Sequence, residues 1–271
     1  MIKSAIGIIG CGNMGGAIAK GIASSGSIPV GEVYVYDKDG DKAAKLALET
    51  GCRNGDIFQM VRGSEIILIA VKPSDFRALA ERISSDIVDQ TIASVMAGVT
   101  TSEIVASIGK DVPVVRAMPN LAASLKRSVT CITLNNRAMS VGNIDRVKKI
   151  FLCIGDILEV EEKQMDAVTA VSGSGPAYLF ALAEAMAEAA IEEGLNEDVS
   201  RKLVSGTLLG ASFLLENSEL SASGLMNMVA SKGGTTEAAL SVLKEKGFKD
   251  IVKKAVHMAK ERSSEMSRGK R

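Results

Sequence analysis

The stretch from Ile6 to Lys20, IGIIGCGNMGGAIAK, constrains this chain more than any other. Ile6, Ile8 and Ile9 run into Gly10, and Gly10, Gly12 and Gly15 then fall on a G-x-G-x-x-G spacing. Met14, Ala17, Ile18, Ala19 and Ile22 follow with helical periodicity. A strand, a tight glycine turn and a helix N-terminus in that order form a phosphate cradle. The first glycine permits the turn, the second lets backbone approach a pyrophosphate, and the third lets helix pack on strand. Glycine also serves such turns for geometry alone. With a strand before it and a helix after it, the turn reads as the start of a dinucleotide-binding unit.

The chain continues in the same style. Glu32 to Asp37 (EVYVYD) reads as a second strand ending in a carboxylate, about 20 residues beyond the turn, where an acid accepts hydrogen bonds from a ribose diol. The alternative is that Asp37 merely starts the turn in DKDGD. Lys38, directly after it, is suited to a 2′-phosphate instead. A helix over Asp41 to Thr50 leads to Asn54 and a further helix. Then comes an apolar third strand, Glu65 to Val71, of the kind found at the centre of a parallel sheet. Strands are expected again at Thr91–Met96 and Val112–Ala117, each after a helical segment. A last pair, Ser128–Thr133 and Asp156–Val160, is joined by a helix over Asp145–Leu152. This alternation predicts a doubly wound α/β domain. Ligands of such sheets bind beyond the carboxyl ends of the strands. The turns Ala70-Val71-Lys72-Pro73, Met96-Ala97-Gly98 and Arg116-Ala117-Met118-Pro119-Asn120 are therefore expected to line the cleft. Proline in two of them also ends a strand without any functional reason.

Near residue 161 the alternation stops and the rest reads helical. The boundaries expected are 1–161 for the α/β domain and 162–271 for an all-α domain. A helix from Gly175-Pro176 to about Glu193 is rich in alanine, with Glu184, Glu188 and Glu192 repeating as one solvated stripe. Its apolar surface exceeds what a domain of about 110 residues covers by itself, which points to a subunit interface. The competing reading is an ordinary buried helix.

Composition narrows the classes. Lys plus Arg and Asp plus Glu number 32 each, so no net charge draws the protein to nucleic acid or to a membrane surface. The lysine-rich end (Lys253, Lys254, Lys260, Arg262, Arg268, Lys270, Arg271) reads as a solvated last helix with a frayed tail. Cys11, Cys52, Cys131 and Cys153 lack zinc-site or disulfide spacing, so neither a metal nor a disulfide framework is expected. A strand beginning by about residue 4 leaves no room for a signal peptide, and Glu184 and Glu188 interrupt the most apolar long segment. A soluble, cytoplasmic protein is expected.

Two stretches of the helical half, AVSGSGPAYLF (Ala170–Phe180) and VASKGGTTEAAL (Val229–Leu240), resemble the pyrroline-5-carboxylate reductases. With GCGNMG, AVKP, MAGVT and RAMPN in the first half, the resemblance covers nearly the whole chain in order. It implies a Rossmann-like N-terminal domain followed by an all-α dimerisation domain. It also implies reduction of the cyclic imine 1-pyrroline-5-carboxylate to proline with NADPH, or NADH, by a homodimer or a larger ring of dimers. The cofactor contacts it implies are Gly10, Gly12, Asn13, Met14, Asp37, Lys38, Asn54, Ala70, Val71, Lys72, Pro73, Met96, Ala97, Gly98 and Asn120. The substrate contacts it implies are Ser231, Gly233, Gly234, Thr235 and Thr236, with the Thr236 hydroxyl at the imine nitrogen.

The residues fit that chemistry. Glycines and hydroxyls ahead of a helix expose amides to a single carboxylate without an arginine, although Thr235 or Thr236 would also serve simply as an N-cap. His257, the single histidine, falls in the last helix, and reducing an already protonated imine needs no histidine base. Three places depart from the family pattern. Leu121-Ala122 replaces threonine-proline, Ser128 replaces a glycine, and Lys232 replaces a proline. The rivals are a β-hydroxyacid dehydrogenase, which would need a lysine that Gly175–Leu195 lacks, a reductase of a related cyclic imino acid, and a non-catalytic NADP-binding paralogue.

Overall fold

The structure, a computed structural model, describes residues 5–135 and 141–267. The tail residues Arg268, Lys270 and Arg271 lie outside the described residues. The first half alternates strand and helix: β1 (Ala5–Ile9), α1 (Asn13–Ser25), β2 (Val33–Tyr36), α2 (Gly40–Thr50), β3 (Arg53–Asn54), α3 (Ile57–Gly63), β4 (Ser64–Ile69) and α4 (Pro73–Ile83). It continues with β5 (Thr91–Ser94), α5 (Thr101–Ile108), β6 (Val114–Met118), β7 (Ser128–Leu134), α6 (Val141–Leu152) and β8 (Gly155–Glu159). The strands form one sheet in the order β3-β2-β1-β4-β5-β6-β7-β8. Every neighbouring pair is parallel except β6 and β7. The sequence thus builds the doubly wound unit expected of it.

Apolar runs become central strands because both sheet faces are covered. Side chains alternate across a strand, so Ile6 and Ile8 of β1 and Ile66 and Leu68 of β4 enter one core with Ile18 and Ile22 of α1 and Phe151 of α6. Ile9, Ile67 and Ile69 point the other way, among Met60 of α3, Phe76 and Ile83 of α4 and Ile104 of α5. Within β6, Arg116 is almost fully buried and donates to Glu162 Oε1 at 2.7 Å.

After β8 come α7 (Met165–Val168), a π-turn over Thr169–Gly173, α8 (Gly175–Glu192), α9 (Glu197–Asn217), α10 (Ala222–Val229), α11 (Thr235–Glu245) and α12 (Phe248–Ser267). The chain separates into two compact units. One comprises the described residues through Ser174 together with those from Ala259 onward, and the other is Gly175–Met258. These divisions differ from an expected boundary at 161/162. The segment that follows it packs with the sheet: Met165 and Ala170 are fully buried, and a Cβ on Gly173 would meet Met118 Cε at 2.6 Å. The end of α12 joins the same unit, where Ser263 Oγ donates to Asp166 Oδ1 at 2.7 Å.

In the helical unit, Asn196 caps α9 by accepting from the Val199 N–H at 2.9 Å, and Gly194 takes φ +94° in the turn before it. No residue of α8 is buried, and Phe180, Met186, Leu209, Phe213, Leu214 and Met228 are all exposed. Apolar surface on that scale marks an interaction face. Among the described residues, no helix is long and apolar enough to cross a membrane.

Candidate functional site

The glycine turn is built as its spacing demands. Gly10 adopts φ +105°, and a Cβ there would meet the Ala70 carbonyl oxygen at 2.5 Å. A Cβ on Gly15 would strike the Gly10 carbonyl oxygen, so this glycine lets α1 seat on β1. Gly12 differs, because nothing lies within 4 Å of where its Cβ would be. It is the N-cap of α1 without a side-chain cap, which leaves the first-turn amides at Asn13 and Met14 without an intrahelical acceptor. Open room beside uncapped amides at a helix N-terminus is the geometry a pyrophosphate fits.

A cleft of about 650 Å³ opens there. Of the expected cofactor residues, Gly10, Gly12, Asp37, Lys38, Ala70, Val71 and Lys72 line it, and Pro73 opens α4 immediately beside them. Asp37 lines the cleft and starts the turn after β2. Its Oδ2 accepts from the Cys11 N–H at 2.7 Å, bracing the glycine turn, and its Oδ1 accepts from the Asp39 N–H at 3.0 Å, tying the turn after β2. Burial first, then the charges of Asp37 and Cys52, push the Cys11 thiol up to about 12. Lys38 is not free: its Nζ donates to Asp75 Oδ2 at 2.8 Å.

Asn13 and Met14, in the first turn of α1, are not in that lining, nor is Pro73, and five further expected contacts stand elsewhere. Asn54 is exposed on the edge strand β3. Met96 is buried, Ala97 is half-buried, and Gly98, at φ +67°, is covered by Met266, whose Cβ would lie 2.8 Å from an added Cβ. Asn120 caps the turn Leu121–Leu125 through the Ala122 N–H, and its Nδ2 donates to Ser172 Oγ at 3.1 Å. Ser128, in the position of the family's glycine, is buried and accepts from the Asn120 N–H at 3.0 Å. Sequence reasoning missed the α4 face. Asp75, Ala78, Leu79 and Arg82 line the cleft at i, i+3, i+4 and i+7, a helical spacing that was there to be read.

The turn between α10 and α11 is organised by its glycines. Gly233 has φ +72°, and a Cβ on Gly234 would collide with Ser231 Oγ. Gly234, not Thr235 or Thr236, is the N-cap of α11, and it contributes no side-chain cap. The threonine hydroxyls are therefore not used as the cap. The amides at Thr235 and Thr236 open the helix, where no intrahelical acceptor exists for them. The expected run of open amides is nevertheless shorter than anticipated. The Gly234 N–H donates to the Ser231 carbonyl at 3.0 Å, and the Gly233 N–H donates to Glu237 Oε2 at 2.6 Å. Thr236 is half-buried, while Ser231, Lys232 and Thr235 are exposed. His257 is exposed on α12.

Comparison with known proteins covers both halves of the chain. The family described as pyrroline-5-carboxylate reductase dimerisation matches residues 162–266, and the family described as NADP oxidoreductase coenzyme F420-dependent matches residues 5–98. The pyrroline-5-carboxylate reductase of Escherichia coli K12 is 37% identical over 270 residues, covering 98% of this chain and all of the relative. A solved pyrroline-5-carboxylate reductase from Coxiella burnetii superposes with a TM-score of 0.90 at 31% identity, covering 98% of this chain and 99% of the other. The Plasmodium falciparum pyrroline carboxylate reductase with NADP bound gives 0.88 at 28% identity, with the same coverage. Joined end to end by these matches, the glycine turn, the sheet and the helical half make this chain a member of the pyrroline-5-carboxylate reductase family.

Proposed function

We propose that this protein reduces 1-pyrroline-5-carboxylate to L-proline with NAD(P)H, as the last step of proline formation. The observation that carries the reading is the side-chain-free N-cap at Gly234. It leaves the first-turn amides and two hydroxyls of α11 open to a small carboxylate-bearing imine. Ser231 and Thr235 hold the substrate carboxylate through their hydroxyls and the open first-turn amides at the positive end of the helix, in a turn that Gly233 and Gly234 shape against the ligand. Thr236 shares its hydroxyl with the pyrroline nitrogen and fixes the ring's orientation. Bound NAD(P)H supplies the hydride. Gly12 and the first turn of α1 hold the pyrophosphate, Asp37 faces the adenosine ribose, and Lys38 meets the 2′-phosphate, so NADPH is preferred and NADH accepted. Positioning supplies most of the catalysis, since the imine nitrogen is protonated before reduction and no side-chain base is required.

The working protein is a cytoplasmic homodimer or a larger ring of dimers, built through the helices from Gly175 to Asn217. The exposed apolar surface of α8 and α9 supports this. The test is proline formation from 1-pyrroline-5-carboxylate with NADPH or NADH as reductant. Cofactor binding without proline formation would leave a non-catalytic dinucleotide-binding protein and overturn the assignment.

A further inference from the structure

At the mouth of the cleft, Lys38 and Asp75 form an ion pair of 2.8 Å. Lys38 follows the end of β2 and Asp75 stands in the first turn of α4, so the pair joins two elements that wall the same opening. Of the other basic residues lining the cleft, Lys72 lies near enough to Asp75 for its charge to act on that carboxyl, while Lys42 and Arg82 have partners of their own. Lys42 Nζ lies 3.4 Å from Asp39 Oδ2, and Arg82 donates to the Tyr36 hydroxyl at 3.0 Å while lying over the Tyr36 and Phe58 rings. Lys38 is the cation next to Asp37 that is paired with a carboxylate lining the cleft.

We propose that Asp75 sets the balance between NADPH and NADH, by competing with the 2′-phosphate of the adenosine ribose for the Lys38 ammonium. The proposal rests on reading the cleft as the dinucleotide site. A 2′-phosphate brings nearly two negative charges. To reach Lys38 it must displace a carboxylate and then remain beside it, with Asp37 close by as a second acid. A 2′-hydroxyl brings no charge and needs neither step. The burden of Asp75 therefore falls on NADPH alone, and the pair narrows a preference that Lys38 by itself would make steep. Both partners are charged at neutral pH. The Asp75 hydrogen bond and charge hold the Lys38 ammonium above its ordinary value, and the Lys38 hydrogen bond holds the Asp75 carboxyl below its own. The Lys38 side chain is 77% exposed, so water screens the competition and the effect is modest.

The experiment is calorimetric titration of the full-length protein at low salt with adenosine 2′,5′-bisphosphate and with ADP, probes that need no turnover. Asp75→Asn should tighten the bisphosphate by roughly two- to fivefold, change ADP far less, and lose its advantage at high salt. Lys38→Ala should weaken the bisphosphate and remove the effect of Asp75→Asn in the double variant. An equal shift for both ligands, or a gain from Asp75→Asn that survives in full without Lys38, would overturn the proposal while the cleft remained a dinucleotide site. Failure of the unaltered protein to bind ADP and NADH would instead overturn the reading of the cleft, and the proposal with it.

Discussion

Glu237 Oε2 accepts a hydrogen bond from the Gly233 N–H at 2.6 Å, so a carboxylate of the chain itself rests on the turn proposed to hold the substrate's carboxylate. The bond braces a turn whose φ of +72° at Gly233 favours glycine. The charge opposes an anionic ligand close by. These two effects separate by substitution. Glu237→Gln keeps an acceptor and removes the charge, and should lower KM for 1-pyrroline-5-carboxylate by roughly two- to fivefold with little change in kcat. Glu237→Ala also loses the brace and should lower kcat. Steady-state kinetics of the two variants reads the difference.

Thr236 is assigned the hydrogen bond to the pyrroline nitrogen. Loss of one positioning hydroxyl removes a few kcal/mol of transition-state stabilisation, so Thr236→Ala should slow turnover on the order of a hundredfold. Thr236→Ser should keep much of the activity, and cofactor affinity should hold in both. Because Gly234 is the cap, neither change should unseat α11. A folded Thr236→Ala enzyme with unaltered turnover would remove the assignment. Lys232→Pro, which restores the family's residue, should leave the reaction intact and change chiefly substrate affinity.

Two glycines of the same turn should respond in opposite ways. At Gly12 an added methyl meets open space at a φ of −72°, so Gly12→Ala should fold normally. It should bind NADH more weakly, on the order of tenfold, by filling the room beside the uncapped amides. At Gly15 the methyl meets the Gly10 carbonyl oxygen, and Gly15→Ala should cost about 1–3 kcal/mol of stability. Melting curves with and without cofactor separate the two cases.

The thiols give a pH signature. Unfolded cysteine ionises near 9.0, whereas native Cys11 is pushed up to about 12, chiefly by burial. Cys52 and Cys131 are also raised by burial. A raised native value means that the folded state keeps protons the unfolded chain releases. This contribution to stability is complete below about pH 9 and is lost as pH rises towards 12. Cys11→Ser should flatten the fall of Tm over that window, and the native thiols should react slowly with a labelling reagent at pH 8.

The apolar surface of the helical unit predicts association. Sedimentation equilibrium should give a dimer or a multiple of one, and Leu214→Asp, placing a charge on α9, should dissociate or precipitate the protein. A stable, active monomer would exclude the assembly proposed.

The sheet was legible because its signals are local. Every strand but one announced itself by an apolar run and the helices by their period, whereas the edge strand β3, only Arg53 and Asn54, has no apolar residue and was not expected. The compact units were less so. Residues 162–174 pack with the sheet through Met165, Ala170 and Gly173, and a thirteen-atom ladder gives no hint that Thr169–Gly173 widens into a π-turn. The cleft was readable at the glycine turn and at Asp37, Lys38 and Ala70–Lys72, where the sequence carries the geometry. Asp75 and Arg82 escaped notice because an acid and a base on a helix face look like solvent-facing charges until the opposite wall is known. The Glu237 bond was hidden for the same reason. Its partner is a main-chain amide, and no residue type records which amide a carboxylate will reach.

Met266 lies against Gly98, and Ser263 reaches Asp166, so the closing turns of α12 are part of the sheet unit that Ala5 begins. Synthesis runs from N-terminus to C-terminus, and a unit made of early residues alone can finish folding while the rest is still being translated. This one must wait. Its strands and most of its helices leave the ribosome early, yet the surface around Gly98 stays uncovered until the whole helical unit has been made and the last helix has emerged. Loss of the closing turns of α12, from Ser263 to Ser267, would leave a chain whose flaw lies in its first half.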